Sequence, residues 1–289
     1  MSDKLIGRLL GDFEIQELIG RGHTGRVYRA VQKPLNRRVA LKVFEEGLFT
    51  LEDMKQRFMR EAEYIARLEH PNIVPVYSAG QQDEYSFFAM RLIEGSTLEQ
   101  LMASGLDVVD GLRFLADIAA ALHYAHQRGF IHRDVKPGNI MVSAGSAMLL
   151  DFGVARFLET TTITSSGAFV GTPLYFSPEQ AKQARATAAS DVFSLGIVMY
   201  EIATGTHPFL DPTGETPSRD EIIDRIGSGR YTAVRERAPG LPAALVALAE
   251  RALSTDPALR PAPGEVRRGL LDVSGDPALE KLKHTTQKS

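Results

Sequence analysis

The sequence predicts an α+β chain of two lobes, a small β-rich lobe followed by a larger, mainly helical one. Two observations predict it. Between Phe13 and Met90 the β-branched and aromatic residues fall mostly in short runs broken by turns. After Glu94-Gly95 the apolar residues recur with helical spacing instead. The composition, 44% hydrophobic and 24% charged over 289 residues, is that of an ordinary globular chain with ample core.

Each element has its own signal. Phe13–Ile19 is apolar at alternate positions near its start. Arg26–Val31 and Arg38–Phe44 are β-branched and aromatic, with Lys33-Pro-Leu-Asn36 as the turn between them. Leu51–Glu69 reads as a helix with polar residues on one face, ended by His70-Pro71-Asn72. Ile73–Met90 reads as two more strands. In the second lobe Leu98–Met102, Val108–Gln127, Ser190–Thr204, Ser218–Ile226 and Leu241–Ser254 carry helical periodicity. Ile140–Val142 and Met148–Leu150 form a short apolar hairpin. No internal repeat is visible, and the polar end of the chain is expected to fray.

Bulk properties exclude several classes. A net charge of −3 gives no basic surface for nucleic acid or a membrane. The absence of cysteine excludes disulfides, thiolate catalysis and Cys-based zinc sites, and fits a reducing cytosol. No apolar run reaches the ~18 residues of a membrane span, and no signal-peptide pattern opens the sequence.

Three motifs carry chemistry. Gly20-Arg21-Gly22-His23-Thr24-Gly25 has the spacing G-x-G-x-x-G, which a plain Gly-rich hairpin turn also satisfies. A dinucleotide fold would require a helix directly after it; here a strand beginning at Val27 follows. On a β-turn-β flap, glycines let backbone N–H groups approach phosphates with no Cβ in the way. In Val39-Ala40-Leu41-Lys42, Ala40 and Lys42 share the face opposite Leu41, so Ala40 is placed to floor a base and Lys42 to reach phosphates from a solvent-linked cleft. Glu61 in the next helix is the candidate ion-pair partner of Lys42, because Ile65 one turn on gives its face an apolar side; Glu52, Glu63 and Glu69 are the surface alternatives. The third motif, His132-Arg-Asp134-Val-Lys136-Pro-Gly-Asn139, is followed after the apolar hairpin by Asp151-Phe-Gly153. Phosphoryl transfer depends on positioning and charge neutralisation. Asp134 suits an acceptor for a hydroxyl proton, Lys136 a counter-charge, and Asn139 and Asp151 hard oxygen ligands for Mg²⁺.

With these strings the chain resembles the eukaryotic-type serine/threonine protein kinases, in particular their bacterial branch, over about Phe13 to Leu271. The resemblance implies a bilobal protein-kinase fold, with an N-lobe over 13–93, a C-lobe over 94–271 and a partly disordered tail over 272–289. It implies ATP and Mg²⁺ (or Mn²⁺) as cofactors and phosphorylation of Ser or Thr hydroxyls on protein substrates. Gly20–Val27 is then the flap, with Ile19, the residues Gly20 to Gly25, and Val27 against the nucleotide; Lys42 and Glu61 are the activating pair. Ala40, Met90 as gatekeeper, Arg91 C=O, Ile93 N–H and Met141 would meet adenine. Asp134 is the base, and Asn139 and Asp151 are the metal ligands.

The same resemblance makes Gly171-Thr172-Pro-Leu-Tyr-Phe-Ser-Pro-Glu179 the end of an activation segment, with Glu179 pairing Arg260 and Asp191 holding the catalytic-loop backbone. Lys136 and Thr172 match the Ser/Thr pattern rather than the tyrosine one. Two positions depart from the family: His23-Thr24 stands at a flap tip where many kinases carry an aromatic, and Phe193 replaces a customary Trp. Autophosphorylation is expected between Thr160 and Ser166, with Thr164 and Ser166 first, and with Arg133 and Arg156 as phosphate partners. A homodimer would form during transfer between copies, and no nucleic-acid or membrane partner is expected. The chain would be cytoplasmic, or the intracellular part of a longer receptor. A non-catalytic pseudokinase scaffold and a small-molecule kinase of similar fold are the alternatives. The long stretch from Val154 to Pro178 argues against the second.

Overall fold

A computed structural model describes residues 3–22, 25–44, 59–60, 62–152, 173–210 and 217–279. They form two compact units, one ending at Glu94 and the other beginning at Gly95.

The first unit is built on a six-stranded antiparallel sheet: β1 (Leu9–Leu10), β2 (Phe13–Gly22), β3 (Gly25–Gln32), β4 (Arg37–Phe44), β5 (Val76–Gln82) and β6 (Tyr85–Arg91), ordered β1-β2-β3-β4-β6-β5. β4 is central and is buried from Val39 to Phe44, which explains its nearly continuous apolar run. Alternation divides that run between two faces. Val39, Leu41 and Val43 join Phe13, Ile15, Tyr28 and Phe87 in one core. Phe44 on the other face packs with Phe88 and Ala62. Between β3 and β4, Lys33–Leu35 forms a 3₁₀ turn closed by Asn36 at φ 47°, a conformation Asn tolerates.

Two expectations need correction. Ile73–Pro75 lies outside the strands, because Pro75 has no N–H for a ladder; its C=O takes the Arg91 N–H at 3.0 Å. The helix expected to reach Glu69 already gives way to a turn at residues 66–67, where Arg67 and Leu68 donate to Tyr64 and Ile65, three residues back. The earlier part of that helix, with Glu52 and Glu61, lies outside the described residues.

The second unit holds a three-stranded sheet of β7 (Ser96–Thr97), β8 (Ile140–Ser143) and β9 (Ser146–Leu149). Gly95 lets β7 approach β8, since a Cβ there would lie 2.1 Å from the Val142 carbonyl oxygen. Its helices are α1 (Leu98–Ala103), α2 (Val108–His126), α3 (Pro178–Ala181), α4 (Ala188–Thr204), α5 (Arg219–Ser228), α6 (Val234–Arg237), α7 (Ala243–Ala252) and α8 (Pro263–Ser274). α2 is opened by Asp107, whose carboxylate accepts the Val109 and Asp110 N–H groups. α4 is buried all round from Ser190 to Tyr200, as befits the centre of a helical unit. α8 has a clear signal that the sequence reading missed: Pro263 in its first turn, then Val266, Leu270 and Val273 on one face. α3 and α6 are too short for periodicity to reveal. Among the described residues no helix is long and apolar enough to cross a membrane.

Candidate active site

In the first unit, β2 and β3 form the glycine hairpin in the register Gly20↔Val27, Arg21↔Arg26 and Gly22↔Gly25. Gly25, at φ 156°, passes so close to β4 that a Cβ would meet the Val43 carbonyl oxygen at 2.1 Å. Ile19 is exposed on the strand leading to the tip. The tip residues His23 and Thr24 lie outside the described residues. Antiparallel pairing sets Val27 opposite Lys42, Ala40 opposite Met90 and Lys42 opposite Phe88. Ala40, Lys42 and Met90 are all buried. Lys42 is 6% exposed, more enclosed than the solvent-linked position the sequence suggested, and its Nζ is 5.8 Å from the Phe44 ring centroid. Arg91, the last residue of β6, is exposed, and Ile93 is half-buried in the segment that follows. Glu61 falls outside the described residues, but Ala62 and Ile65 are buried, as an inward helix face requires.

In the second unit the string from His132 to Asn139 is held at its start by one carboxylate. Asp191, fully buried in the first turn of α4, accepts the His132 N–H (2.8 Å), the Arg133 N–H (2.7 Å) and His126 Nε2–H (2.7 Å). These bonds hold Arg133 at φ 72°, and Gln180 Nε2 donates to the Arg133 carbonyl at 3.1 Å. A non-glycine residue there stays strained unless its surroundings over-determine it. His132 lies edge-on to Phe152 at 4.7 Å, with its Nε2–H on the Leu150 carbonyl at 2.6 Å.

Upon this platform Asp134 is surrounded by donors. Lys136 Nζ lies 2.9 and 2.7 Å from its two oxygens, and Asn139 Nδ2 donates to Asp134 Oδ2 and to its backbone carbonyl, both at 2.8 Å. Asp134 keeps 37% of its side chain exposed, so its carboxylate is within reach of solvent. Because the Asn139 amide nitrogen is committed to Asp134, the donor type Asn139 retains is a carbonyl oxygen, which suits Mg²⁺. Asp151 stands at φ 58°, a second non-glycine residue in the left-handed region, directly after the β9 hairpin. Met141 is half-buried in β8, opposite Thr97 and Met148.

Residues 13–269 match the protein kinase domain family. The chain belongs to that family. It is 40% identical over 209 residues to the serine/threonine-protein kinase PrkC of Bacillus subtilis, covering 71% of this chain and 32% of that protein. It is 36% identical over 282 residues to PknB of Mycobacterium leprae, covering 92% of this chain and 43% of the relative. A probable serine/threonine-protein kinase of Clostridium perfringens is 38% identical over 217 residues, 74% of this chain and 31% of that one. The chain thus spans about a third to under half the length of these relatives. The crystal structure of the PknI kinase domain of Mycobacterium tuberculosis superposes with a TM-score of 0.72 at 28% identity, covering 92% of this chain and 98% of that one.

Further features of this kinase domain lie away from its catalytic string. Arg260 clasps Glu179 with two bonds of 2.8 and 2.9 Å, donates to the Ala189 and Ser254 carbonyls, and lies over the Phe193 ring at 4.9 Å. Phe193 in turn stacks on Phe209, so the position without the usual Trp is filled by an aromatic-cationic layer. Burial alone would raise the Glu179 carboxyl, but the bonds from Arg260 and Ser190 outweigh it and hold it down at about 2.

Sequence reasoning missed His126, whose partner Asp191 lies 65 residues away, and Gln180 as a clamp on the catalytic loop. The Ser177–Gln180 capping box was legible as S-x-x-Q. It also missed Tyr175, whose hydroxyl donates to Glu201 at 3.0 Å. Burial, reinforced by the charge of Glu99, pushes Glu201 up to about 7. Against the Tyr175 ring, burial holds His207 down at about 4, neutral, with Nε2–H on the Leu174 carbonyl and Nδ1 accepting the Phe209 N–H. Thr172 and the hydroxyl run Thr160–Ser166, with Arg156, lie outside the described residues.

Proposed function

We propose that this kinase domain is catalytically active and transfers the γ-phosphoryl group of ATP to Ser or Thr hydroxyls of proteins. The observation that carries the reading is Asp134, an accessible carboxylate fixed by Lys136 and Asn139 on a loop tied down by Asp191. In the proposed step the acceptor hydroxyl gives its proton to Asp134. Its oxygen forms the new bond to the γ-phosphorus, the bond to the bridging oxygen breaks, and ADP leaves. Lys136, already at the carboxylate, supplies positive charge where negative charge builds up. Mg²⁺ (or Mn²⁺), when bound through Asn139 and Asp151, neutralises phosphate charge. Lys42 holds the phosphates with the Gly20–Gly25 backbone. Ala40, Met90, Arg91 C=O, Ile93 N–H and Met141 take the adenine, with Ile19 and Val27 alongside. Glu61 orients Lys42, and Thr172 supports Asp134.

Lys136 and the names of the relatives favour Ser and Thr as acceptors. A pseudokinase is disfavoured because every phosphate-handling residue type is present in the sequence. We also infer that the chain phosphorylates its own activation segment in signalling, at Thr164 and Ser166 first, the phosphates pairing with Arg133 and Arg156. Mass-spectrometric mapping after incubation with Mg²⁺, ATP and a general protein acceptor such as casein tests all of this together. Phosphoserine or phosphothreonine on the acceptor and between Thr160 and Ser166 is expected. A chain that binds ATP and leaves every protein hydroxyl unmodified is a scaffold instead.

A further inference from the structure

Residues 3–10 lie along the first unit's sheet and are integrated into it. Leu5 and Leu10 are buried in the same core as Tyr28, Leu41 and Val43. β1 pairs with β2 through Leu9↔Glu14 and Leu10↔Phe13. Gly7 N–H donates to the Ile15 carbonyl at 2.8 Å and Ile15 N–H to the Arg8 carbonyl at 2.9 Å. The Gln82 side chain takes the Gly11 N–H at 2.6 Å and donates to the Leu9 carbonyl at 3.3 Å.

The segment begins at a buried carboxylate. Only 4% of the Asp3 side chain is exposed. Its oxygens accept Arg26 Nη1 at 3.0 Å, the Tyr28 hydroxyl at 3.1 Å and the Leu5 N–H at 3.1 Å. Burial would raise this carboxyl, yet the Leu5, Tyr28 and Arg26 bonds together hold it below the ordinary value.

Arg26 and Tyr28 are alternate residues of β3, immediately after Gly25 of the flap. They share one face of the strand, while Val27 between them, opposite Lys42, belongs to the other. The flap has little packing of its own. Gln16, Glu17, Ile19, Arg21 and Gly22 are exposed, and register shifts interrupt its ladder between Ile15 and Glu17 and between Leu18 and Gly20. A hairpin with so few buried contacts opens readily unless side chains tie it. Displacing Arg26 and Tyr28 would leave a buried carboxylate with the Leu5 N–H but without its two side-chain donors, which opposes the displacement.

We infer that residues 3–10 form a strap whose Asp3 fixes the nucleotide flap from behind, making Asp3 and Arg26 positioning residues for ATP. The inference rests on the proposed role of the flap in holding phosphates. The strap side chains belong to the face opposite Val27, so they act on binding through β3.

The test compares the parent chain with Asp3→Ala, Arg26→Gln and the double variant. The readouts are KM for ATP and kcat on casein, calorimetric Kd for Mg²⁺·ADP, and Tm. Each single variant is expected to raise KM and Kd together, roughly threefold to tenfold, the range one charge-assisted hydrogen bond transmits. kcat at saturating ATP should stay within about twofold, since the chemistry at Asp134 is untouched. The double variant should be no worse than Asp3→Ala, because both changes cut one tie. A fall in Tm with KM and Kd unchanged would make the strap merely structural and overturn the proposal. So would single effects that add in the double variant. A parent that binds no nucleotide at all refutes the function reading itself, an outcome distinct from a normal parent with normal variants.

Discussion

Asp134 is held through backbone, by the Asn139 Nδ2 bond to its carbonyl and by the hold of Asp191 on the two residues before it, so a neutral side chain leaves the loop tied while losing its basicity. Asp134→Asn should therefore bind Mg²⁺·ADP like the parent yet transfer phosphate about 10²–10⁴-fold more slowly, the usual contribution of a positioned base. Radiolabelled ATP measures it, and normal turnover would remove Asp134 from the chemistry. Lys42 presents a different balance, because it is 6% exposed and packed near Phe44. Lys42→Met preserves the apolar stem, so Tm should hold while activity falls by about 10²–10³-fold. A steep drop in Tm with activity retained would assign Lys42 to the core alone.

At the scale of elements, α4 carries two carboxylates with separate tasks, Asp191 buried and Glu201 half-buried. Asp191 at its start fixes the catalytic loop, and Glu201 near its end accepts the Tyr175 hydroxyl. Glu201 is raised from 4.5 to about 7, so the unfolded chain releases this proton first as pH rises. The stability it contributes is full below about pH 4.5 and is lost as pH rises through about 7. His207, packed against Tyr175, is lowered from 6.5 to about 4 and works the other way, losing stability as pH falls through that window. Glu201→Gln keeps an acceptor for Tyr175 and removes the titration. Measured by denaturant unfolding, the variant should gain on the parent by roughly 1–3 kcal/mol between about pH 5 and pH 8. A pH-independent difference would show that Glu201 does not titrate in that range. The activation segment makes a second prediction at this scale: Thr164→Ala with Ser166→Ala should lower the rate on a protein acceptor after preincubation with ATP. An equal rate in parent and variant would exclude those hydroxyls as the switch.

For the whole molecule, the donor set decides which ion supports turnover. The sequence has no cysteine, and Asn139 and Asp151 offer only oxygen, so Mg²⁺ or Mn²⁺ should restore activity abolished by EDTA. Unchanged turnover in excess EDTA would contradict this. A net charge of −3 gives no electrostatic reason for strong salt dependence through nucleic acid.

Local order by itself determined much of this protein. The β-branched and aromatic run of β4, the helical spacing of α2 and α4, and the strings around Gly20, Asp134 and Asp151 are properties of neighbours in sequence, and composition, periodicity and spacing report neighbours. The pair Glu179–Arg260 and the hold of Asp191 on the loop were legible only through the family resemblance, since 81 and 59 residues separate the partners. Tertiary structure alone decided what depends on two distant segments meeting. It placed Gln180 on the backbone of the Asp134 loop and His126 on the Asp191 that holds that loop, buried Lys42 beside Phe44, and raised Glu201 by burial near Glu99. It also brought Asp3 against Arg26, 23 residues on in sequence, through burial of Leu5 and Leu10. The physical reason is common to all four: burial and desolvation belong to a position in space, and an isolated residue type carries no record of what will exclude water from it.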